Sequence, residues 1–198
     1  MKSIIIFLLG LSLTSFGLKD YRLTKRSKWL ISENSSLIVN GSTNINKFTC
    51  AIFRYPKSDT LVVWADQANG ILLSGAVHIE VKNFDCSNAI MTKELRKTLR
   101  EDEFPFLHIR FLSLKEMPSL SGQKNRIIKG AVEIEIAGTT KRFEVAYQLN
   151  KEANNMTLTG NQAINFSDFN LQPPKKMGRL IKAKNELKVA LCLKMELI

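Results

Sequence analysis

Gly130–Leu149 reads GAVEIEIAGTTKRFEVAYQL, and its parity decides the fold. Val132, Ile134 and Ile136 alternate with Glu133 and Glu135; after Gly138-Thr139-Thr140, Phe143, Val145, Tyr147 and Leu149 alternate with Glu144, Ala146 and Gln148. Period-two alternation around a glycine turn is a hairpin of antiparallel strands with one apolar and one mostly wet face. The same parity recurs upstream. Val77, Ile79 and Val81 alternate with His78, Glu80 and Lys82, and Leu107, Ile109 and Phe111 with His108 and Arg110. Turn chemistry at Glu33-Asn34-Ser35, Ser121–Asn125, Asn154-Asn155 and Lys184-Asn185 separates the runs. Short, regularly spaced strands predict an all-β sandwich or barrel. One stretch departs from period two. Met91, Leu95 and Leu99 form a stripe at spacing four within Asn88–Glu101, a helix capped by Ser87 or Asn88 and stopped by Phe104-Pro105. Its apolar stripe suits covering one end of a barrel.

The whole chain bounds what this pattern can be. Its 198 residues hold 29 basic and 18 acidic side chains, a net charge of +11, with 44% hydrophobic residues. That composition builds one globular core and excludes a disordered chain. Past the N-terminus no run of about 18 residues is free of charge, which excludes a helical membrane protein. The first residues read as an export signal: Lys2, then the apolar Ile4–Leu13, then small residues at Ser15 and Gly17. Residues 1–17 are therefore expected to be a signal peptide and 18–198 the barrel domain, periplasmic or secreted. Losing Lys2 leaves the mature charge at 11 − 1 = +10.

Export permits disulfides, and three cysteines leave at least one unpaired. Cys192 shares a strand face with Lys188 and Lys194, whereas Cys50 lies on the apolar side of its run. The favoured pair is Cys50–Cys86; three free thiols remain the alternative.

Catalytic machinery is not legible. There is no phosphate-binding glycine loop and no nucleophile elbow. His78 and His108 sit on the polar parity of their strands. The cysteines and histidines lack metal-ligand spacing. No catalytic residue, metal or cofactor is expected. Nucleic acid is disfavoured by export and by the lack of a basic cluster interleaved with aromatics. Eleven Phe are spread along the chain. They either fill a core or line a barrel of about eight strands wide enough for an apolar ligand; alternation does not separate the two.

Four blocks carry a family resemblance. Gly41–Cys50 (GSTNINKFTC) is similar to the opening Gly-Thr-Ser-Asn-Val-His-Asp-Trp motif of the YceI-like family. The Met91–Leu99 stripe followed by Phe104–Phe111 resembles that family's helix and its Tyr-Pro-x-Ile-x-Phe strand. Lys129–Lys141 is similar to its Gly-x-Leu-x-Ile-x-Gly-Val-Thr-Lys hairpin. Phe166–Pro174 (FSDFNLQPP) resembles its Met-Ser-Asp-Phe-Gly-Ile-x-Pro-Pro loop. The chain departs at Asn46-Lys47-Phe48, where a base replaces an acid, and at Asn170, where the family has Gly. The resemblance implies an extended, lipocalin-like antiparallel barrel capped by one short helix. It also implies a non-catalytic, periplasmic binder of a long lipid, typically a polyisoprenoid. The residues expected to line the ligand are Phe48, Leu73, Val77, Ile79, Ile109, Phe111, Ile134, Ile136, Phe143, Val145, Ile164, Phe166 and Phe169. Lys47, Lys141, Lys175 and Lys176 are the head-group candidates. The alternative is an envelope interaction module with a closed core that docks on a membrane protein or anionic envelope polymer through its basic face; transient contact with an anionic membrane surface is a further candidate partner.

Overall fold

The chain closes its sheet by letting one long strand change partners. The computed structural model describes residues 25–66, 70–115, 126–176 and 181–198; the expected export signal and the Ser121–Asn125 turn lie outside them. The strands are β1 (Lys25–Ile31), β2 (Ser36–Ser42), β3 (Lys47–Ile52), β4 (Thr60–Asp66), β5 (Gly70–Ser74), β6 (Ala76–Glu80), β7 (Phe106–Leu114), β8 (Arg126–Ile136), β9 (Thr139–Glu152), β10 (Asn155–Asn165), β11 (Lys175–Lys176), β12 (Ile181–Lys182) and β13 (Glu186–Leu197). Every pairing is antiparallel. A closed eight-stranded barrel runs β1-β4-β5-β7-β8-β9-β10-β13 and returns to β1.

At the other end of β13 the partner is different. Ile31↔Met195 belongs to the β1 pairing, while Cys192↔Ser36 through Lys188↔Asn40 belong to β2. Ser35 fills the hand-over: its hydroxyl donates to the Lys194 carbonyl and accepts from the Lys194 N–H at 3.3 and 3.0 Å. Beyond β2 lies β3, which has no full partner on its far side. Among the described residues its one backbone pairing there is the isolated bridge Ala51↔Asp85 to the chain leaving β6, with two hydrogen bonds of 2.7 and 3.0 Å. At this end, therefore, the wall is closed by one bridge.

The parity read from sequence is the parity of burial. Val132, Ile134, Ile136, Val145, Tyr147 and Leu149 point into one continuous core, as do Val77, Ile79, Leu107, Ile109 and Phe111. Between Phe111 and Ser113 a bulge shifts the register, so that Leu114, off the parity of Phe111, is also buried. Gly75, at φ +142°, kinks the chain between β5 and β6; a Cβ there would sit 2.5 Å from the Thr60 carbonyl oxygen.

The helix α1 spans Ala89–Thr98. Of the two proposed caps, Asn88 makes the bond, accepting the Met91 N–H at 3.0 Å. Leu95 and Leu99 are buried and Met91 half-buried. The helix stops earlier than the Phe104-Pro105 reading implied, because Arg100 turns left-handed at φ 57° right after the Leu99 cap. Asn170 is left-handed too, at φ 57°, a conformation that Asn supplies where the related motif has Gly.

Candidate functional site

Four segments meet at the helix-capped end of the barrel. They are the β2–β3 turn, α1, the short 3-10 turn Phe166–Phe169 that follows β10, and the β11–β12 hairpin. Each is fixed by local hydrogen bonds. The Thr43 hydroxyl accepts the N–H groups of Ile45 and Asn46 at 3.1 and 3.0 Å and donates to Asn46 Oδ1 at 2.6 Å. Asn44 exchanges bonds with Lys182: its N–H donates to the Lys182 carbonyl at 3.0 Å, and its Oδ1 accepts the Lys182 N–H at 2.9 Å. Asp168 Oδ2 accepts the N–H of Asn165 at 2.8 Å, which sets Phe166 and Phe169 inward.

Between these segments lies a cavity of about 60 Å³, lined by Thr43, Phe48, Cys50, Met91, Glu94, Leu95, Phe166, Pro174, Ile181 and Ala183. Glu94 is the one ionisable group of this lining. The Sγ atoms of Cys50 and Cys86 are bonded and their Cα atoms are 3.9 Å apart. This bond stands next to the Ala51–Asp85 bridge and forms part of the cavity wall. Cys192 is a free, half-buried thiol. Thiol titration of unfolded, unreduced protein is therefore expected to count one group, and none in Cys192→Ser.

The expected ligand-lining residues divide. Phe48 and Phe166 line the cavity. Leu73, Val77, Ile79, Ile109, Phe111, Ile134, Ile136, Val145, Ile164 and Phe169 are packed in the core below it, and Phe143 is half-buried with its ring 6.3 Å from Phe169. Of the head-group candidates, Lys47 and Lys141 are exposed and line no part of this cavity. Lys175 and Lys176 belong to β11, their side chains outside the described residues. Sequence reasoning missed Pro174, Ile181 and Ala183, which lie where periodicity carries no signal. Met91 and Leu95 were visible as a helical stripe but not as a cavity wall.

A polar cluster on the barrel's flank also escaped the sequence. The segment after β3 sends Tyr55 and Asp59 against the open edge of β6. The Tyr55 hydroxyl donates to Asp59 Oδ2 and accepts the His78 N–H at 3.0 Å. The same carboxylate oxygen takes the His78 N–H at 3.2 Å and faces His78 Nδ1 at 3.0 Å. The His78 and His108 rings meet edge-on at 5.0 Å. These side chains do for β6 what a neighbouring strand would do. Burial first, then the Asp59 hydrogen bond, pushes the Tyr55 hydroxyl pKa up, so it stays a donor. Burial opposes ionisation of Asp59, but the bonds from Tyr55 and His78 outweigh it and hold the carboxyl below its usual value. Burial lowers the pKa of His108, against the pull of Glu135.

Both shifts make the fold acid-sensitive. A depressed His108 favours the neutral ring, so its contribution is complete above the unfolded value of about 6.5 and is lost as pH falls through the lower folded value. Asp59 contributes above about 3.9 and is lost below that. Glu80, Glu103 and Glu144, held low chiefly by hydrogen bonds from Lys82, from Arg100, and from Lys115 and Lys129, add to the lower step. Urea midpoints should therefore fall in two steps from pH 8 to 3. His108→Gln should flatten the upper step, and Asp59→Asn should shrink the lower one.

Among the described residues no three His, Cys, Asp or Glu side chains converge on a metal-sized site, and no helix is long and apolar enough to cross a membrane. No curated protein sequence matches the chain. The fold is shared with solved structures of low identity. Burkholderia cenocepacia BcnA is 15% identical over 81% of this chain and 95% of its own, with a TM-score of 0.60. A Saccharophagus degradans domain, described as polyisoprenoid binding and implicated in plant cell wall breakdown, is 10% identical over 87% and 99%, with a TM-score of 0.61. The Campylobacter jejuni YCEI protein is 14% identical over 96% and 97%, with a TM-score of 0.51. The YceI family, described as a YceI-like domain, matches residues 25–195, nearly the whole barrel, and the chain belongs to that family.

Proposed function

We propose that the chain is an exported, non-catalytic binding protein that holds a long apolar ligand, a polyisoprenoid or another lipid, with its chain entering the barrel beneath α1. The observation that carries this reading is the cavity at the helix-capped end. It is walled almost entirely by apolar side chains, in a fold shared with a polyisoprenoid-binding domain. Each methylene taken out of water there is worth about 0.8 kcal/mol, so shape and dryness suffice for affinity. At about 60 Å³ the cavity seats only the start of a chain. The rest requires the flanking side chains to move, and the unbranched Met91 in the wall is suited to that.

Organic extraction and mass spectrometry of protein purified from its own host should yield a prenyl or other long-chain lipid in near-stoichiometric amount. Ala183→Phe, which narrows the cavity from the hairpin side, should reduce that yield at least several-fold with little change in melting temperature. A second reading has its own support: Phe111, Tyr147, Ile128 and Val132 are no more than 2% exposed and fill the barrel below the cavity. A closed core of that kind suits a structural module of the envelope. Protein that comes off its host with no extractable lipid, and takes none up from detergent-dispersed prenol, decides for the module.

A further inference from the structure

The rim around the cavity combines features that the core does not require. From Asn170 to Asn185 the sequence has five basic residues and no acidic one. In the β11–β12 ladder Lys182 stands in register with residue 175. Lys182 and Lys184 are exposed, as is Lys47 on the adjoining turn, and none of the three is ion-paired with a described residue. On the barrel wall, by contrast, Lys115 and Lys129 share Glu144, and Arg110 is matched by Glu133.

Two aliphatic side chains are exposed to water on segments that line the cavity. Ile45 is 67% exposed at the tip of the Thr43–Asn46 turn, and Ile90 is 64% exposed in the first turn of α1, next to the cavity-lining Met91. The turn beneath Ile45 is held by the Thr43 bonds and by the exchange between Asn44 and Lys182, so the isoleucine is presented on a rigid support. A single exposed isoleucine means little. Two of them flanking an apolar opening, with unneutralised lysines alongside, fit a surface that is anionic at the head groups and apolar just below.

We infer that this rim docks on an anionic bilayer, with Lys47, Lys182 and Lys184 against the head groups and Ile45 and Ile90 inserted. The mouth of the barrel then faces the membrane. Glu94 is the one acidic side chain of the cavity lining. The inference does not depend on which cargo the barrel carries, and the two are tested separately.

The test is co-flotation with phosphatidylglycerol-containing vesicles and with phosphatidylcholine vesicles, at low and high salt. Wild type should bind the anionic vesicles and be released by salt. Lys182→Glu/Lys184→Glu should lower partition at least about twentyfold, since each lysine near such a surface is worth roughly fivefold. Ile45→Asp should lower it about tenfold. Ile127→Asp removes an equally exposed isoleucine, 70% accessible on the outer face of β8, and should change nothing. Matched circular dichroism and melting curves confirm that the variants fold. Equal binding to neutral vesicles, unchanged binding of the Lys182/Lys184 variant, or an Ile127→Asp loss as large as that of Ile45→Asp overturns the docking face. Lipid extraction from the same samples reads the cargo: docking without extractable lipid upholds the rim and removes the ligand, while extractable lipid without docking does the reverse.

Discussion

Reduction of the Cys50–Cys86 bond is expected to cost the folded chain about 3–4 kcal/mol and to lower its melting temperature by roughly 10 °C. The bond closes a loop of 36 residue steps, and loop-closure entropy in the unfolded chain sets that magnitude. Its location adds a local consequence. Among the described residues β3 lacks a strand partner on its far side, and besides the disulfide the Ala51–Asp85 bridge joins it to the segment leading into α1. Once the sulfurs part, two backbone hydrogen bonds carry that closure, and the wall of the cavity is free to open beside Phe48 and Met91. Cys50→Ala/Cys86→Ala should therefore melt near the temperature of the reduced wild type. It should be insensitive to dithiothreitol and cleaved faster by protease between Phe53 and Ser58. Cys192→Ala, whose thiol is in no disulfide, should melt and be cleaved as wild type. A wild-type melting temperature that reductant leaves unmoved would remove the bond from any structural role.

The sequence made the barrel legible because antiparallel strands wet on one face write their period into the chain, and Val132–Leu149 writes it twice. It made α1 legible through Met91, Leu95 and Leu99. Closure was not legible. That β13 serves β2 with one end and β1 with the other depends on strand tilt and on Ser35 at the hand-over, neither of which leaves a periodic trace. The cavity was legible only in part. Phe48 and Phe166 were found because they lie in motif-like blocks. Pro174 ends the same Phe166–Pro174 block but carries no apolar-face signal, and Ile181 and Ala183 lie in and just after a two-residue strand that is too short for any pattern. Tyr55 and Asp59 were invisible for another reason: a loop residue that caps a strand edge with its side chain is specified by tertiary approach alone. His78 and His108 were read as solvent-facing from parity; they do lie on the outer face, but half-buried against each other and, for His78, against Asp59. Parity gives the side of the sheet and says nothing of what crosses over it.

How deep the interior runs turns on Tyr147, and the second large effect is expected there. Its ring, 2% exposed, points inward from β9, 6.3 Å from the ring of Phe111, and it fits because both flanking strands carry glycine. A Cβ at Gly160 would lie 2.7 Å from Tyr147 Cε1, and one at Gly130 would lie 2.9 Å from Cε2. Tyr147→Ala should cost about 3–5 kcal/mol in urea unfolding, the penalty of emptying an aromatic site in a packed core. Gly160→Ala should cost about 1–3 kcal/mol by overpacking. Together they should not add. With the ring gone, the next-nearest atom to the new methyl is Val145 Cγ1 at 3.2 Å, and alanine in a strand is ordinarily better than glycine by about 0.5–1 kcal/mol. In the Tyr147→Ala background, Gly160→Ala should therefore be neutral or stabilising, a reversal of sign. Gly130→Ala is the control that should not reverse, since its Cβ would also lie 2.7 Å from the Ser113 carbonyl oxygen, backbone that no tyrosine substitution moves. If Gly160→Ala is as costly without the tyrosine as with it, the ring is not what the glycine accommodates. If the sign does reverse, Tyr147 is the side chain whose removal deepens the barrel, and lipid extracted from Tyr147→Ala should shift to longer chains than lipid from wild type.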